Sequence, residues 1–258
     1  MPRDGAGLDL GTDLAHALDA AMFAEDRLGF TPDPWQADLL RSTAMQIIVN
    51  VARQTGKSTT TAIKGLHTAI YDPGLVLLVS PSLRQSRELF RKVIAFLKDL
   101  QPAEILEEDN KSSCTLANGS RIVSLPGDAR TIRGYSAPKL IIVDEAAYVE
   151  QQMFVALRPM RAATPGGCQL ILLSTPNGRQ SGQYFFETWF RGEDWRRYEV
   201  RAAECPRISS EFLESERREL GVLFSQEYEL HFIDAESAVF SSELISACFV
   251  DDFEPFLS

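Results

Sequence analysis

The stretch Val51-Ala-Arg-Gln-Thr-Gly-Lys-Ser58 follows the apolar segment Met45–Val51 and opens an Ala- and Thr-rich segment that suits a helix. A loop between a strand and a helix presents backbone N–H groups and the positive end of the helix dipole to a polyphosphate. Lys57 would add a charge beside the β- and γ-oxygens, and Ser58 would reach Mg²⁺. The stretch therefore predicts a site for a nucleoside triphosphate.

The loop departs from the usual pattern G-x-x-x-x-G-K-[ST], because Val51 stands where the first glycine belongs and Arg53 lies inside the loop. Taken alone, the run is equally compatible with a turn at Gly56 and a helix capped by Ser58. A second motif has to decide between these two interpretations.

The second motif is Leu140-Ile-Ile-Val-Asp-Glu145, an apolar run that ends in two acids and is typical of a strand buried on both faces. In open α/β sheets, ligands bind at the carboxyl ends of the strands, where this acidic pair falls. Asp144 would hold Mg²⁺ through water, and Glu145 would polarise the attacking water. The alternative is that both acids only cap a helix that begins at Ala146.

Strand-like and helix-like segments alternate from Met45 to Phe190, which predicts an α/β fold with a mainly parallel central sheet flanked by helices. Together with the two motifs, this is the pattern of a P-loop NTPase of the RecA/ASCE-like type. Asn118-Gly119 predicts a hairpin at an edge of the sheet. The alternating segments are Met45–Val51, Ser58–Tyr71, Leu75–Ser80, Ser82–Leu100, Lys139–Val143, Gln151–Ala163, Gln169–Ser174 and Gly182–Phe190.

The chain divides into three predicted units. Residues 1–29 form an N-terminal tail with a short amphipathic helix, on which Leu14, Leu18 and Met22 have helical spacing. Residues 30–203 form the P-loop core, and residues 204–258 form a small helical lid and linker. The features predicted toward the end are a strand near Trp195–Ala202, helices at Glu211–Gly221 and Ser225–Leu230, a break near Asp234–Phe240 and a linker-like segment at Asp251–Pro255.

The composition argues against several classes of protein. A net charge of −10 and a pI of about 4.9 do not suit a surface coated with DNA-binding charge, so any nucleic-acid contact must be local or shared among subunits. The cysteines and histidines show no C-x-x-C and no ligand spacing, so neither a structural zinc site nor a disulfide framework is expected. The apolar runs are too short to span a bilayer, and no export signal is recognisable.

The chain resembles the large terminase subunit of tailed bacteriophages in four stretches that follow the family's order. They are the P-loop with Arg53, Asp144-Glu145, Leu172-Leu-Ser-Thr-Pro-Asn-Gly178 and Glu227-Tyr-Glu-Leu-His-Phe-Ile-Asp234. The resemblance implies the ATPase half of a viral DNA-packaging motor, which couples Mg-ATP hydrolysis to translocation of double-stranded DNA into a procapsid. No stretch of this chain resembles the RNase-H-like nuclease of the family. Nuclease activity is therefore not expected, and the last unit would lead toward that domain.

The resemblance also implies roles for individual residues. Lys57 and Arg53 would hold phosphates, and Glu145 would orient the attacking water. Gln36, which follows Pro34-Trp35, would read the edge of the adenine; the alternative is a solvent-facing glutamine at the start of a helix. The implied ATP-binding residues are Gln36, Arg53, Gln54, Thr55, Gly56, Lys57, Ser58 and Thr59, and the implied metal ligands are Ser58 and Asp144.

Two further groups of residues receive roles from the resemblance. Ser174, Thr175 and Asn177 would couple the γ-phosphate to motion; the alternative is a turn whose hydroxyls act only as caps. Arg133 would be an arginine finger that reaches the γ-phosphate of a neighbouring subunit, and Arg130 is its close rival.

The implied partners are double-stranded DNA, a portal and a small terminase subunit. By family analogy the chain would form a homo-oligomeric ring, a pentamer, in the host cytoplasm and away from membranes. Arg84 and Arg87 are lesser candidates for the finger and would otherwise face DNA or a partner. One rival interpretation is a helicase-like nucleic-acid-dependent ATPase, which normally carries a second RecA-like domain. Another is an interaction module with vestigial hydrolysis, which would not need Glu145.

Overall fold

The computed structural model describes residues 10–100, 105–178 and 182–233. The predicted break at Asp234–Phe240 and the predicted linker at Asp251–Pro255 lie outside these residues. In the described part of the chain, one sheet of eight strands is flanked by helices on both faces. The prediction of an α/β fold with a mainly parallel sheet is confirmed.

The strand order is β3-β4-β5-β2-β6-β7-β1-β8. Neighbours from β5 to β8 pair in parallel, whereas the β3–β4 and β4–β5 pairs are antiparallel. The strands are β1 Gln46–Val51, β2 Leu75–Ser80, β3 Leu106–Asp109, β4 Ser113–Leu116, β5 Arg121–Pro126, β6 Pro138–Asp144, β7 Gln169–Ser174 and β8 Arg196–Val200. Strand β7 thus lies between the strand before the P-loop and the strand that ends in the acidic pair, so the three carboxyl ends meet at one edge.

The predicted hairpin is also confirmed. Asn118 and Gly119 connect β4 to β5, and Gly119 has a φ of +83°, in the left-handed region that glycine adopts without strain. Strand β3 was not predicted, because its acidic sequence, Leu106–Asp109, carries no alternation of apolar residues. It extends the hairpin by one strand at the edge of the sheet.

The helices form two layers, one on each face of the sheet. They are α1 Leu10–Leu18, α2 Ala20–Leu28, α3 Pro34–Arg41, α4 Lys57–Tyr71, α5 Leu83–Lys98, α6 Ala129–Ile132, α7 Gln151–Ala162, α8 Tyr184–Arg191, α9 Ser210–Leu220 and α10 Val222–Glu227. Helices α2 to α5 supply buried side chains to one apolar cluster, and α6 to α8 supply them to the other. Because both faces are covered, the inner strands are nearly uniform apolar runs.

The N-terminal segment forms two helices where one was predicted. Asp19 caps α2 by accepting hydrogen bonds from the backbone N–H groups of Ala21 and Met22, which ends α1. Leu14 and Leu18, predicted to mark the apolar face, are 59% and 79% exposed. The core is instead contacted by Phe23 and the alanines of α2. The helical spacing was read correctly, but the buried face was not.

Residues 204–233 lie against the loop end of β1. Ala52, Ala202 and Leu230 form a small apolar cluster there, and the amide of Ala202 donates to the carbonyl of Tyr228. This contact brings α9 and α10 beside the P-loop. None of the described helices has the length and apolarity that a membrane crossing requires.

Candidate nucleotide site

The P-loop begins one residue later than the usual pattern suggests. Val51 is fully buried at the end of β1 and pairs with Val200 of β8, so a glycine is not needed at this position. The tight part of the loop follows, with φ values of +61° at Gln54 and +91° at Gly56. The hydroxyl of Thr55 donates to the carbonyl of Ala52 at 2.8 Å and closes the turn. Helix α4 then begins at Lys57, with its free N–H groups directed at the loop.

The two motifs meet at the edge of the sheet. The ammonium of Lys57 forms an ion pair with Glu145 Oε1 at 2.9 Å, and the hydroxyl of Ser58 donates to Asp144 Oδ2 at 2.9 Å. These residues are 86 or more positions apart in the sequence. A turn at Gly56 and a helix cap at Ala146 do not by themselves explain why these side chains meet.

Asp144 is nearly enclosed by protein. Burial raises the pKa of its carboxyl above the usual range, and the Lys57 ammonium acts in the opposite direction. Its position beside the Ser58 hydroxyl provides two hard oxygen ligands of the kind that Mg²⁺ prefers. Within the described ranges, no group of three or more acids, histidines or cysteines is placed to hold a metal alone.

Glu145 adopts a strained backbone conformation. Its φ of +52° and ψ of +45° lie in the left-handed region, which costs a residue with a side chain about 1–3 kcal/mol. The conformation turns the chain sharply after β6 into a short 3₁₀ turn, Ala146–Tyr148. It leaves the carboxylate between Lys57 and the hydroxyl of Ser174, which donates to Glu145 Oε2 at 3.3 Å.

The three predicted coupling residues lie at the end of β7 and just beyond it. Ser174 contacts Glu145, and Thr175 is buried beside it. Asn177 donates from Nδ2 to the carbonyl of Ala147 at 3.3 Å, which ties this segment to the turn after Glu145. The segment therefore touches the acidic pair rather than standing apart as an isolated turn.

Arg53 points out of the P-loop toward the C-terminal segment. Its Nε pairs with Glu227 Oε2 at 2.5 Å. Arg53, Lys57 and Glu145 line one open cleft of about 370 Å³. Three other residues complete the wall of the cleft: Gln54, Gln85 and Tyr148. Both P-loop cations are thus paired with carboxylates from outside the loop.

Gln36 is buried, with 1% exposure, which excludes the solvent-facing alternative. Its Oε1 accepts from the amide of Asp33 at 2.8 Å, and its Nε2 donates to the carbonyl of Thr55 at 3.1 Å. A Cβ added to Gly56 would lie 2.6 Å from that Nε2, so only glycine fits beside it. Recognition of adenine by Gln36 would require the amide to leave these partners.

Arg207, which sequence reasoning missed, binds the same part of the loop. Its guanidinium donates to both carboxylate oxygens of Asp33 at 2.9 and 2.7 Å and to the carbonyl of Thr55 at 3.0 Å. The side-chain pair with Asp33 has the bidentate geometry that favours arginine over lysine. No local motif surrounds Arg207, so only the tertiary structure reveals it.

The two candidate fingers are exposed. The side chain of Arg130 is 90% exposed and lies 3.7 Å from Asp128, whereas Arg133 caps the end of α6 and has no ion pair to any described residue. Both follow β5, which is separated from β1 by four strand spacings, or about 19 Å at the usual distance between strands. Neither arginine lines the cleft that contains Lys57 and Glu145.

Tyr148 and Glu227 are two more site residues without a predicted role. Tyr148 lies three residues after Glu145, and burial raises the pKa of its hydroxyl. Glu227 opens the last of the resembling stretches, but nothing in that stretch indicates Arg53 as its partner. The position of Tyr148 directly after the acidic pair is a signal that sequence reasoning could have used.

Comparisons with known proteins agree with this geometry. The chain matches the family described as terminase large subunit, T4likevirus-type, N-terminal, over residues 48–247. It is 25% identical to the large terminase subunit of Thermus phage G20c over 189 residues, which are 66% of this chain and 38% of that protein. The chain thus corresponds to well under half the length of that relative.

Two solved structures share the fold. The large terminase ATPase domain of Thermus phage P74-26 superposes with a TM-score of 0.71 at 18% identity, covering 81% of this chain and 97% of that one. The large terminase of the HK97 bacteriophage gives 0.66 at 17% identity, covering 83% of this chain and 54% of that one. Because the family match extends over most of the sequence, the chain belongs to the phage large terminase family and corresponds to its N-terminal domain.

Proposed function

We propose that this chain hydrolyses Mg-ATP as the ATPase domain of a viral DNA-packaging motor and couples hydrolysis to translocation of double-stranded DNA. The observation that carries the proposal is the meeting of Lys57 and Ser58 with Asp144, Glu145 and Ser174 at one edge of the sheet. These groups supply the charge, the metal ligands and the water-orienting carboxylate that phosphoryl transfer needs.

Nucleotide binding begins with an exchange of partners. The ammonium of Lys57, now on Glu145, moves to the β- and γ-phosphates, which carry more negative charge than one carboxylate. Glu145 is thereby released and accepts a proton from the water that attacks the γ-phosphorus, while the bond from the γ-phosphorus to the β–γ bridging oxygen breaks and ADP leaves. The hydroxyl of Ser174 keeps the carboxylate in place during this step. The N–H groups at the start of α4 receive the remaining phosphate oxygens.

Ser58 and Asp144 would hold Mg²⁺, and the ion would neutralise negative charge on the phosphates during phosphoryl transfer. In the structure their oxygens already lie within hydrogen-bond distance of each other. The burial of Asp144 keeps bulk water away from this pair.

Arg53 would transmit the state of the γ-phosphate to residues 204–233. Its ion pair with Glu227 joins the P-loop to α10. When the guanidinium moves to a γ-phosphate, Glu227 loses its partner and α10 loses one attachment to the core. We infer that this exchange would let residues 204–233 act as a lid on the site.

Adenine recognition by Gln36 is compatible with the network around Thr55. The carbonyl of Thr55 is buried and accepts from both Gln36 and Arg207. If the amide of Gln36 turns to the base, Arg207 still satisfies the carbonyl. A buried acceptor is therefore not left unpaired, which would cost about 1–3 kcal/mol.

An Arg207→Ala variant is expected to bind ATP about 5- to 100-fold more weakly, while GTP affinity stays within about threefold. The loss is expected for ATP only. An adenine base draws the amide of Gln36 away from Thr55, and without Arg207 the buried carbonyl of Thr55 then has no hydrogen-bond donor. With GTP, Gln36 stays on Thr55. Isothermal calorimetry with both nucleotides measures it, and Arg207→Lys, which keeps one donor, should give an intermediate value. An equal loss for ATP and GTP would show that Arg207 only stabilises the fold.

The partners follow from family membership rather than from contacts within this chain. We propose a homo-oligomeric ring, a pentamer by analogy, that docks on a portal and receives DNA with a small terminase subunit in the host cytoplasm. The exposed side chain of Arg133, which does not line the cleft beside its own Lys57, supports a finger that acts between subunits. Arg130 remains its rival.

The nucleotide site is tested by Lys57→Ala. Loss of a charge-assisted contact to the phosphates is expected to weaken ATP binding by about 10- to 100-fold and to remove measurable hydrolysis. Calorimetry and phosphate release report the two effects. Lys139→Ala is the matched control, because Lys139 pairs with Asp72 near the opposite edge of the sheet. Wild-type affinity in the Lys57 variant would refute the assignment.

A helicase-like ATPase is the second candidate, because it would share the P-loop and the acidic strand. It normally carries its finger on a second RecA-like domain of the same chain. Hydrolysis that does not depend on protein concentration would favour it, since such an enzyme completes its site without a neighbour.

A further inference from the structure

Helix α5 differs in charge from the rest of the molecule. The chain carries a net charge of −10, yet α5 contains five basic residues and one acid, Glu88. The basic residues of the helix are Arg84, Arg87, Arg91, Lys92 and Lys98. A concentration of cations on one element of an acidic protein marks a surface for an anionic partner.

Four of these cations form a stripe along the helix. At 100° per residue, Arg84, Arg87, Arg91 and Lys98 fall within an arc of about 60° and extend over roughly 21 Å of the helix. The buried residues of α5 face the sheet and α4, and the stripe faces solvent. Arg84, Arg91 and Lys98 are exposed, and Arg87 is half-buried.

The turn between β3 and β4 lies beside the stripe, and residues of the turn and of α5 line a cleft together. The Nε of Arg87 donates to the hydroxyl of Ser112 at 2.8 Å, which holds its guanidinium against this turn. Asn110 orders the turn by accepting from the amides of Ser112 and Ser113 at 2.9 and 3.0 Å. The cleft, of about 430 Å³, also receives Lys111 from the turn.

The acidic side chains that the structure describes do not neutralise the stripe. Glu88 pairs with Arg91 at 2.5 Å, but both side chains are more than half exposed, and exposed pairs of this kind contribute little and are easily exchanged. The other exposed acids described next to it in the sequence are Asp99, at the end of α5, and Glu107, on β3. Among the described side chains, the four cations of the stripe outnumber the acids that pair with them.

We propose that this surface, formed by Arg84, Arg87, Arg91, Lys98 and Lys111, contacts the phosphate backbone of double-stranded DNA. The inference rests on the proposed packaging function and identifies the surface that grips the substrate. Duplex DNA carries one negative charge per about 1.7 Å of its axis, so a stripe of this length meets several phosphates. Arginine, lysine and asparagine donors on a turn and a helix suit phosphate oxygens and read no sequence, as translocation requires.

The same helix reaches the nucleotide. Gln85, in the first turn of α5, lines the cleft that contains Lys57 and Glu145. Farther along, the ammonium of Lys92 donates to the hydroxyl of Thr59, in the first turn of α4, at 3.4 Å. A rigid helix thus connects the γ-phosphate position with the DNA surface, so a shift at one end moves the other.

The test is DNA binding by the intact chain, with a fluorescein-labelled duplex of about 30 base pairs and a salt series. Arg91→Glu with Lys98→Glu is expected to weaken binding at least about tenfold and to lower the slope of log K against log salt by about 2, because about 0.9 is lost per phosphate contact. Arg91→Gln with Lys98→Gln should give a smaller change in the same direction. ATP binding and hydrolysis without DNA should stay at wild-type values.

The control makes the same change in charge at another surface. It combines Arg158→Glu with Arg191→Glu, at two exposed arginines on α7 and α8. This variant should alter the affinity for DNA less than about threefold and leave the salt slope unchanged. The proposal is overturned if the α5 variant matches this control, which would assign the stripe to a protein partner, or if the unmodified chain fails to bind the duplex at low salt. Failure of ATP binding in the unmodified chain would instead refute the proposed function. The two failures are therefore distinguishable.

Discussion

A Glu145→Gln variant is expected to lose turnover by about 10²- to 10⁴-fold, because the amide cannot accept the proton of the attacking water. Its affinity for ATP should be preserved or increased. In the structure the carboxylate of Glu145 holds Lys57, so a phosphate must displace it, whereas the neutral amide competes less for the ammonium. Calorimetry for binding and phosphate release for turnover separate the two effects.

Glu150→Gln is the matched control, since Glu150 is an exposed acid before α7 and contacts neither Lys57 nor Ser174. It should hydrolyse ATP as the unmodified chain does. Turnover within about threefold of wild type in the Glu145 variant would assign the water-orienting role to another acid. A loss of ATP binding would mean that Glu145 maintains the loop instead of performing chemistry.

An Arg133→Ala variant is expected to reduce turnover of the assembled motor by about 10³- to 10⁵-fold while each subunit still binds ATP. The physical reason is that the finger neutralises charge that develops only in the transition state. Specific activity of the unmodified chain should rise with protein concentration and with double-stranded DNA, because a site completed by a neighbour needs association. The Arg133 variant should remain low throughout the titration.

A mixing experiment decides whether the finger acts in trans. Arg133→Ala and Glu145→Gln are each inactive alone, but in a mixed ring an Arg133→Ala subunit keeps Glu145 and can receive Arg133 from its neighbour. With equal amounts, roughly a quarter of the interfaces should regain activity. Absence of recovery would place the finger in cis or assign it to Arg130, and Arg130→Ala in the same assay distinguishes these outcomes.

The fold could be predicted because its inner strands are buried on both faces and leave continuous apolar runs. Leu75–Ser80 and Gln169–Ser174 were predicted with their observed bounds, and the ends of most helices differed by at most two residues. The helix predicted at Ser225–Leu230 is observed three residues earlier, at Val222–Glu227. The N-terminal helices were predicted less well. The spacing of Leu14 and Leu18 indicates a helix but not which face it buries, and alanines with Phe23 occupy the core instead.

The site could be predicted where residues lie in contiguous motifs, as with Lys57 and Glu145. It could not be predicted where partners are joined only by the tertiary fold. Arg207 and Glu227 lie more than 150 residues beyond the loop residues that they bind, and single exposed or half-exposed charges carry no pattern of their own. Their roles depend on how residues 204–233 pack against the end of β1.

We expect the pairing of both P-loop cations with carboxylates of the same chain to make binding depend on the charge of the ligand. Lys57 and Arg53 pair with Glu145 and Glu227, so an anion that binds both cations must displace two carboxylates. We expect a triphosphate to compete for both cations better than a monophosphate, because it carries more charge. In the proposed cycle, loss of the γ-phosphate would let Glu227 pair with Arg53 again. Glu227 and Glu145 would then compete with ADP for Arg53 and Lys57. We therefore expect this protein to release ADP faster than a protein whose P-loop cations are unpaired.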